Sequence, residues 1–195
     1  MHLKRLLAPE FWKLAKKWYT WVTSPRPGPH AKLESIPLVV IVRDLLKLVE
    51  TRKEAKRIIK AGEVLVDGKV RKDHRFPVGL FDVVSVPRID KHYRVVIDKH
   101  GLALKEVSKD EANKKLCRIN DKTKVKGGLT QLNLHDGRNI LVKKDEYKTG
   151  DSLLIELPSQ KIIKHFKLAK DSLALITGGK NNSKTTEMTL AVSYT

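Results

Sequence analysis

Between Arg52 and Ala61 the apolar positions recur at helical spacing. Ala55, Ile58 and Ile59 share one side, while Arg52, Lys53, Lys56, Arg57 and Lys60 fill the adjoining arc. Thr51 and Glu54 have the spacing of a capping box, and Gly62 supplies a left-handed terminator. The period then changes. Val64 and Val66 alternate with polar neighbours, and Asp67-Gly68 predicts a tight hairpin from Val64–Val66 to Val70, flanked by Lys69, Arg71 and Lys72. Upstream, Pro37 opens a helix that places Leu38, Val42, Leu45, Leu46 and Val49 on one face. Downstream, Pro77-Val78-Gly79 predicts a turn and Val83–Val86 a strand closed by Pro87. Residues 37–92 therefore read as a small α+β module whose second helix buries one side and presents a basic one.

Residues 93–170 carry a different pattern. Tyr93–Asp98, Leu102–Val107, Leu129–Leu134, Asn139–Val142, Leu153–Leu157 and Lys161–Leu168 are strand-like. Gly101, Lys126-Gly127-Gly128, Asp136-Gly137, Gly150-Asp151 and Pro158 punctuate them. Short strands at this spacing predict a small β-barrel-like domain. Ser108–Glu111 is a second capping box and predicts a short helix through Leu116.

Residues 1–36 have little core-forming pattern. Pro9 suits the first position of a helix over Glu10–Trp21, with Phe11, Leu14, Ala15 and Trp18 three and four apart. Trp12, Trp18 and Trp21, all the tryptophans of the chain, lie here. The run Ser24–His30 holds three prolines and is neither helix nor central strand. It predicts an extended basic and aromatic arm that wraps another surface, with residues 1–30 mobile when that surface is absent. A plain linker and a membrane-surface amphipathic helix are the alternatives.

Charge sharpens the picture. The 195 residues include 40 Lys and Arg against 22 Asp and Glu, a formal net charge of +18. Residues 1–36 carry +5, residues 37–92 +5, residues 93–170 +8 and residues 171–195 none. An excess spread over the whole body, and absent from the last segment, points to a polyanionic partner and away from a disordered basic tail. The single cysteine, Cys117, excludes an internal disulfide and a Cys-based zinc site. No apolar run approaches membrane-spanning length, and Lys13, Lys16 and Lys17 interrupt the N-terminal apolar residues where a signal peptide would be continuous.

Candidate chemistry is sparse. His135-Asp136 resembles a base and its orienter but precedes Gly137 in a hairpin signal, with no nucleophile motif beside it. Gly178–Thr185 fails as a phosphate-binding loop because Ser183, not glycine, precedes Lys184-Thr185. The seven histidines lack paired i, i+4 spacing, so no metal is predicted. Cys117 reads as a buried structural thiol. No catalytic residue, metal or cofactor is expected, and the chain does not read as an enzyme.

Arg52, Ala55, Ile59, Gly62, Val64, Val66, Asp67, Gly68, Val70, Gly79, Asp82 and Val84 resemble the S-four type RNA-binding domain. The resemblance extends further. HLKRLLAP (2–9), WVTSPRPGPH (21–30), SIPL (35–38), FPVGLFDVVSVP (76–87), KLCRI (115–119), KGG (126–128), QLNLHDGRNILV (131–142), YKTGDSLLIELP (147–158) and ALITGGKN (174–181) are similar to the S-four-e family of small-subunit ribosomal proteins. It implies an α+β multi-domain fold, with a helix-helix-hairpin module followed by a small β-barrel-like domain. It also implies an RNA-facing surface at Arg52, Lys53, Lys56, Arg57, Lys60, Lys69, Arg71 and Lys72.

Further RNA contacts are expected at Lys4, Arg5, Lys16, Lys17, Trp21 and Arg26 in the arm and at Lys126 and Arg138 in the β region. The implied partners are small-subunit rRNA and neighbouring ribosomal proteins in the cytoplasmic ribosome, with no membrane and a monomer outside the particle. A free-standing RNA chaperone or modification accessory factor is the alternative. Residues 171–195 resemble the opening of a KOW domain, but the fifteen or so residues after Lys180 are too few for a five-stranded barrel at about five residues per strand. A shortened or reworked end is expected, with Thr186–Val192 forming one strand or fraying.

Overall fold

A computed structural model describes residues 2–98, 101–143, 146–170, 172–177 and 185–187. The fold mixes few helices with many strands, and its two larger sheets each have five antiparallel strands.

The N-terminal segment departs most from expectation. Strand β1 (His2–Lys4) pairs with β2 (Trp21–Thr23), setting Leu3 opposite Val22 and Lys4 opposite Trp21. The helix predicted over Glu10–Trp21 is absent. A single 3-10 turn, Glu10–Trp12, stops at Lys13, whose φ of 52° is left-handed. The cause is tertiary. Trp12 is fully buried and its indole N–H donates to the Ser35 carbonyl at 3.0 Å, so the chain turns to insert this residue instead of presenting a helical face. Nor is the arm a loose strap. Ala8, Trp12 and Val22 belong to the same hydrophobic core as the module that follows. The proline-rich run lies on that module: Arg26 N–H donates to the Arg75 carbonyl at 2.9 Å, and a Cβ at Gly28 would lie 2.7 Å from Pro77.

Strand β3 (Ile36–Pro37) leads into α1 (Leu38–Val40), which continues as a π-helical turn over Ile41–Leu45. This helix ends short of Val49, because Lys47 takes a left-handed φ of 51°. Residues 38–42 are buried all round, so burial and not a single stripe fixes the element. Helix α2 (Arg52–Ala61) forms as read. Glu54 N–H donates to Thr51 Oγ1, Thr51 N–H donates to the Glu54 carboxylate, and Gly62 ends the helix at φ 84°. Strands β4 (Leu65–Val66) and β5 (Lys69–Val70) flank Asp67-Gly68 at φ 52° and 73°, the positive values a two-residue hairpin turn requires. Strand β6 (Pro77–Val78) pairs with β3, and β7 (Val83–Val86) with β4.

Strands β8 (Lys91–Asp98) and β9 (Gly101–Val107), read from sequence as the start of the central β region, join this sheet. Its order is β5-β4-β7-β8-β9. The 3-10 turn Pro87–Ile89 and left-handed Asp90 fold the chain straight back on β7, and Val95 enters the first core. A division of the chain at residue 92 therefore cuts through a continuous sheet.

Helix α3 (Lys109–Ala112), capped by Ser108, stops four residues before the predicted end at Leu116. Strand β10 (Lys114–Val125) follows immediately and is the longest in the structure as described. Its first part pairs with β13 (Ser152–Glu156). Past a register shift between Ile119 and Asp121 it pairs with β11 (Leu129–Leu134). Strand β12 (Asn139–Val142) and β14 (Ile162–Phe166) complete the order β12-β11-β10-β13-β14. Cys117, Ile119, Leu132, Leu134, Leu153, Ile155 and Leu157 form its core, at alternate positions along the strands. Strand β15 (Leu173–Leu175) pairs with β16 (Thr185–Glu187). The KOW-like turn within Ala174–Asn181 lies outside the described residues from Gly178 onward, as does the expected strand Thr186–Val192 beyond Glu187.

Candidate nucleic-acid interface

Helix α2 buries Ala55 and Ile59 completely, which fixes its rotation. Arg52, Lys53, Arg57 and Lys60 consequently emerge into solvent, and Lys56 is half-buried beside them. On the hairpin Lys69 and Lys72 are exposed. Arg71 is half-buried with its guanidinium 4.4 Å from the centre of the Phe76 ring. The field of this cluster registers on His74. Partial burial, followed by the nearby charge of Lys56, and then of Arg52 and Arg75 against Asp73, holds its imidazole below the ordinary histidine pKa. Eight cations read from sequence thus share one contiguous helix-and-hairpin region.

In the N-terminal segment Lys4, Lys17 and Trp21 are exposed, Lys16 is half-buried 3.7 Å from Glu10, and Arg26 is exposed but paired with Asp73 at 3.2 Å. Lys126 is exposed at the tip of the β10–β11 hairpin, and Cβ atoms added at Gly127 and Gly128 would meet nothing within 4 Å. Two expected contacts are corrected. Arg5 is 1% exposed, donates to the Ala15 carbonyl and lies 3.6 Å from Asp44. Arg138 lies 2.6 Å from Asp67 and 3.1 Å from Asp136, with its side chain largely covered. Both guanidiniums serve internal pairs. A strand pattern gives no warning of this, since the partners lie 39 and 71 residues away or come from a turn.

Behind the hairpin lies a buried ionic cluster that the sequence did not announce. Lys115 of β10 sits 2.8 Å from Asp67 and 2.9 Å from Asp136, and also bonds Asp82. Asp82 accepts from the Gly79 N–H at 2.9 Å and meets His30 Nε2 at 2.9 Å. Asp67 accepts from the Val83 N–H at 2.9 Å. Three parts of the chain converge: the N-terminal segment, the module and the second sheet.

Burial alone would neutralise Lys115, but the carboxylates of Asp82, Asp67 and Asp136 override it and raise its pKa well above the usual lysine value. Burial likewise opposes ionisation of Asp82 and Asp136, yet Lys115 wins and holds both below the ordinary carboxylate pKa. At Asp67 burial prevails, reinforced by Asp82, and the pKa is raised. The hint in the sequence was strand alternation, which sets Lys115 on the face of Cys117 and Ile119; the helix predicted through Leu116 concealed it.

Cys117, His135 and Asp136 place one donor atom each within 4.8 Å of one another. The grouping does not suit a cation. Burial, then Asp136, pushes the Cys117 thiol up, so it keeps its proton and bonds Asp136 at 3.6 Å. Lys115 already holds that carboxylate. His135-Asp136 is a turn, as read, with Asp136 committed to the ionic cluster.

Comparison with known proteins agrees with this architecture. Residues 1–33 match the RS4NT domain, residues 36–84 the S4 domain and residues 89–162 the ribosomal family S4e. The small ribosomal subunit protein eS4 of Methanothermobacter thermautotrophicus is 49% identical over 184 residues, covering 94% of this chain and 76% of the relative. That of Archaeoglobus fulgidus is 52% identical over 180 residues, covering 92% and 75%. The crystal structure of 30S ribosomal protein S4e from Thermoplasma acidophilum superposes with a TM-score of 0.73 at 33% identity, covering 83% of each chain. The family-model matches end at residue 162, short of the residues that resemble a KOW opening. The chain belongs to the S4e family of ribosomal proteins.

Proposed function

We propose that this chain is a structural constituent of the small ribosomal subunit that binds folded rRNA. The carrying observation is the run of cations on α2 and its hairpin, of which Arg52, Lys53, Arg57, Lys60, Lys69 and Lys72 are exposed. Such cations neutralise phosphates and release counterions, which supplies most of the affinity for a nucleic-acid backbone. The α2 rotation and the hairpin fix their spacing, so a folded RNA is recognised by shape and backbone with few base-edge contacts. Lys4, Lys16, Lys17 and Trp21 in the N-terminal segment and Lys126 on its projecting turn add separate contacts. Arg26 reaches the same RNA only by giving up Asp73.

The second sheet acts as a barrel-like platform whose curl begins at the register shift in β10. The protein works without catalysis, cofactor or metal, as one copy beside other ribosomal proteins in the cytoplasmic ribosome. Among the described residues no helix is long and apolar enough to cross a membrane.

The test is a salt titration of the full chain on small-subunit rRNA, joined to co-sedimentation with the subunit through a high-salt wash. A steep log-log salt slope and retention through the wash are expected. Loss at moderate salt would favour a free-standing RNA chaperone or modification factor.

A further inference from the structure

The three tryptophans of the chain are sorted by the fold. Trp12 is 0% exposed, while Trp18 is 77% and Trp21 53% exposed, with Tyr19 between them at 58%. Pairing of β1 with β2 explains part of this. Leu3 and Val22 face the first core, so the adjacent cross-strand pair, Lys4 and Trp21, faces out. Tyr19 is steadied from below, with the Arg5 and Arg43 guanidiniums 5.6 and 5.8 Å from its ring centre. The segment holding these rings is thus anchored: Arg5 N–H donates to the Thr20 carbonyl at 2.9 Å, and Trp18 N–H to the Ala15 carbonyl at 3.4 Å. Large aromatics more than half exposed on a fixed backbone mark a contact surface.

The surrounding charge selects the partner. Lys4 and Lys17 are exposed beside the rings, and Lys16 lies within the same segment. Glu10 is the only acid among residues 1–33 and is 3.7 Å from Lys16. Asp44 is taken up by the two arginines that lie against Tyr19, Arg43 at 2.7 Å and Arg5 at 3.6 Å. Protein–protein interface cores are depleted in lysine, whereas flat aromatic faces interleaved with cations suit bases whose phosphates run alongside.

We propose that Trp18, Tyr19 and Trp21 form a stacking platform for unpaired nucleobases of the bound RNA. The inference rests on the rRNA-binding reading and assigns this part of the protein to single-stranded nucleotides. The α2 surface instead meets the backbone of folded RNA. The division is physical. Stacking depends on base planes and barely on salt, while phosphate contacts set the salt slope.

The experiment uses the full chain. An adenine-containing single-stranded oligoribonucleotide should quench tryptophan emission, and W18F and W21F should each remove part of that quenching. An abasic oligomer of equal length should bind without quenching. The W18A/W21A pair should lose roughly tenfold or more in rRNA affinity with the log-log salt slope unchanged. It should keep the wild-type circular-dichroism spectrum, because both rings are more than half exposed. Wild-type rRNA affinity in the alanine pair would overturn the platform alone, most directly if the same pair failed to join a reconstituted subunit, which would assign the surface to a protein. Equal quenching by the abasic oligomer would overturn it too. Failure of the wild-type chain to bind rRNA would overturn both this inference and the function on which it rests.

Discussion

The Lys115 ammonium stands 2.8 Å from the Asp67 carboxylate, joining the longest strand of the second sheet to the turn of the basic hairpin. Asp67 and Gly68 form the turn that sets Lys69. The orientation of one proposed contact surface thus depends on a residue outside the module that carries it. Lys115→Met should leave Asp67, Asp82 and Asp136 facing one another without their shared cation. Removing one partner of a buried ionic group costs about 3–5 kcal/mol, and urea unfolding should show a loss of that order. Adding Asp82→Asn to the variant should recover part of it. A Lys115→Met chain as stable as wild type would mean that the cluster relaxes or takes up water.

Acid should dismantle the same cluster. A carboxyl whose folded-state pKa lies below its unfolded one stabilises the fold above the unfolded value and stops doing so as the pH falls through the folded one. Asp82 and Asp136 are of this kind, lowered from 3.8. Asp67, raised from 3.8, works the other way: it costs stability at neutral pH and relieves that cost as it protonates. The carboxylates of the cluster should therefore hold or slightly raise stability down to about pH 4 and lower it below, while His74 and His135, both held below 6.5, withdraw stability as the pH falls from about 6.5. Asp136→Asn should flatten the fall. Lys115 contributes at every pH below about 10.4 and loses its contribution only in strong alkali, since its folded pKa is raised.

The α2 surface predicts a thermodynamic signature distinct from stability. Replacing Arg52, Lys56 and Lys60 by Ala should lower the log-log salt slope of rRNA binding by about one unit for each phosphate no longer neutralised. Thermal unfolding should change little, because Arg52 and Lys60 are exposed and Lys56 is half-buried. An unchanged slope would show that this face of α2 points away from RNA.

Trp12 should behave as a core residue in spite of its place in a basic N-terminal segment. Trp12→Ala removes a fully buried ring and leaves the Ser35 carbonyl without its 3.0 Å donor. A loss of about 3–5 kcal/mol is expected in denaturant unfolding. Faster proteolysis within residues 1–30 should accompany it, since the ring pins that segment to the module.

Gly79 offers a finer probe. A Cβ there would collide with the His30 ring, which bonds Asp82. Gly79→Ala should therefore push His30 off Asp82 and destabilise the chain, whereas Gly127→Ala has open space around it and acts only through its backbone at φ 92°. Comparing the two unfolding midpoints separates packing from backbone strain.

Elements closed by local chemistry were legible in the sequence. The Thr51–Glu54 capping box, the Gly62 stop and the Asp67-Gly68 turn each act within a few residues, and all three form as read. So do Val83–Val86 and the buried Cys117. What failed was long-range. The helix over Glu10–Trp21 gave way to burial of Trp12 against Ser35, 23 residues along the chain. The helix expected to reach Leu116 gave way to the pairing of Lys114–Arg118 with Ser152–Glu156. Arg5 and Arg138 looked like surface cations because residue type reports charge, not the carboxylates that distant segments bring. The basic face of α2 was readable because its buried side, Ala55 and Ile59, is encoded within one helix.

The ionic cluster bears on modularity and on the order of synthesis. A nascent chain that has released only the first ninety or so residues already contains Asp67 and Asp82, two acids destined for the interior, but not the lysine that neutralises them. Until Lys115 emerges, Asp67 in the hairpin turn and Asp82 just ahead of β7 make a repulsive pair, and the completed fold becomes available only with the second sheet. The same holds for transplantation. An S4 module excised along its homology boundary and grafted elsewhere would carry buried carboxylates without their counterion. In this protein the unit of inheritance and the unit of stability are different lengths of chain.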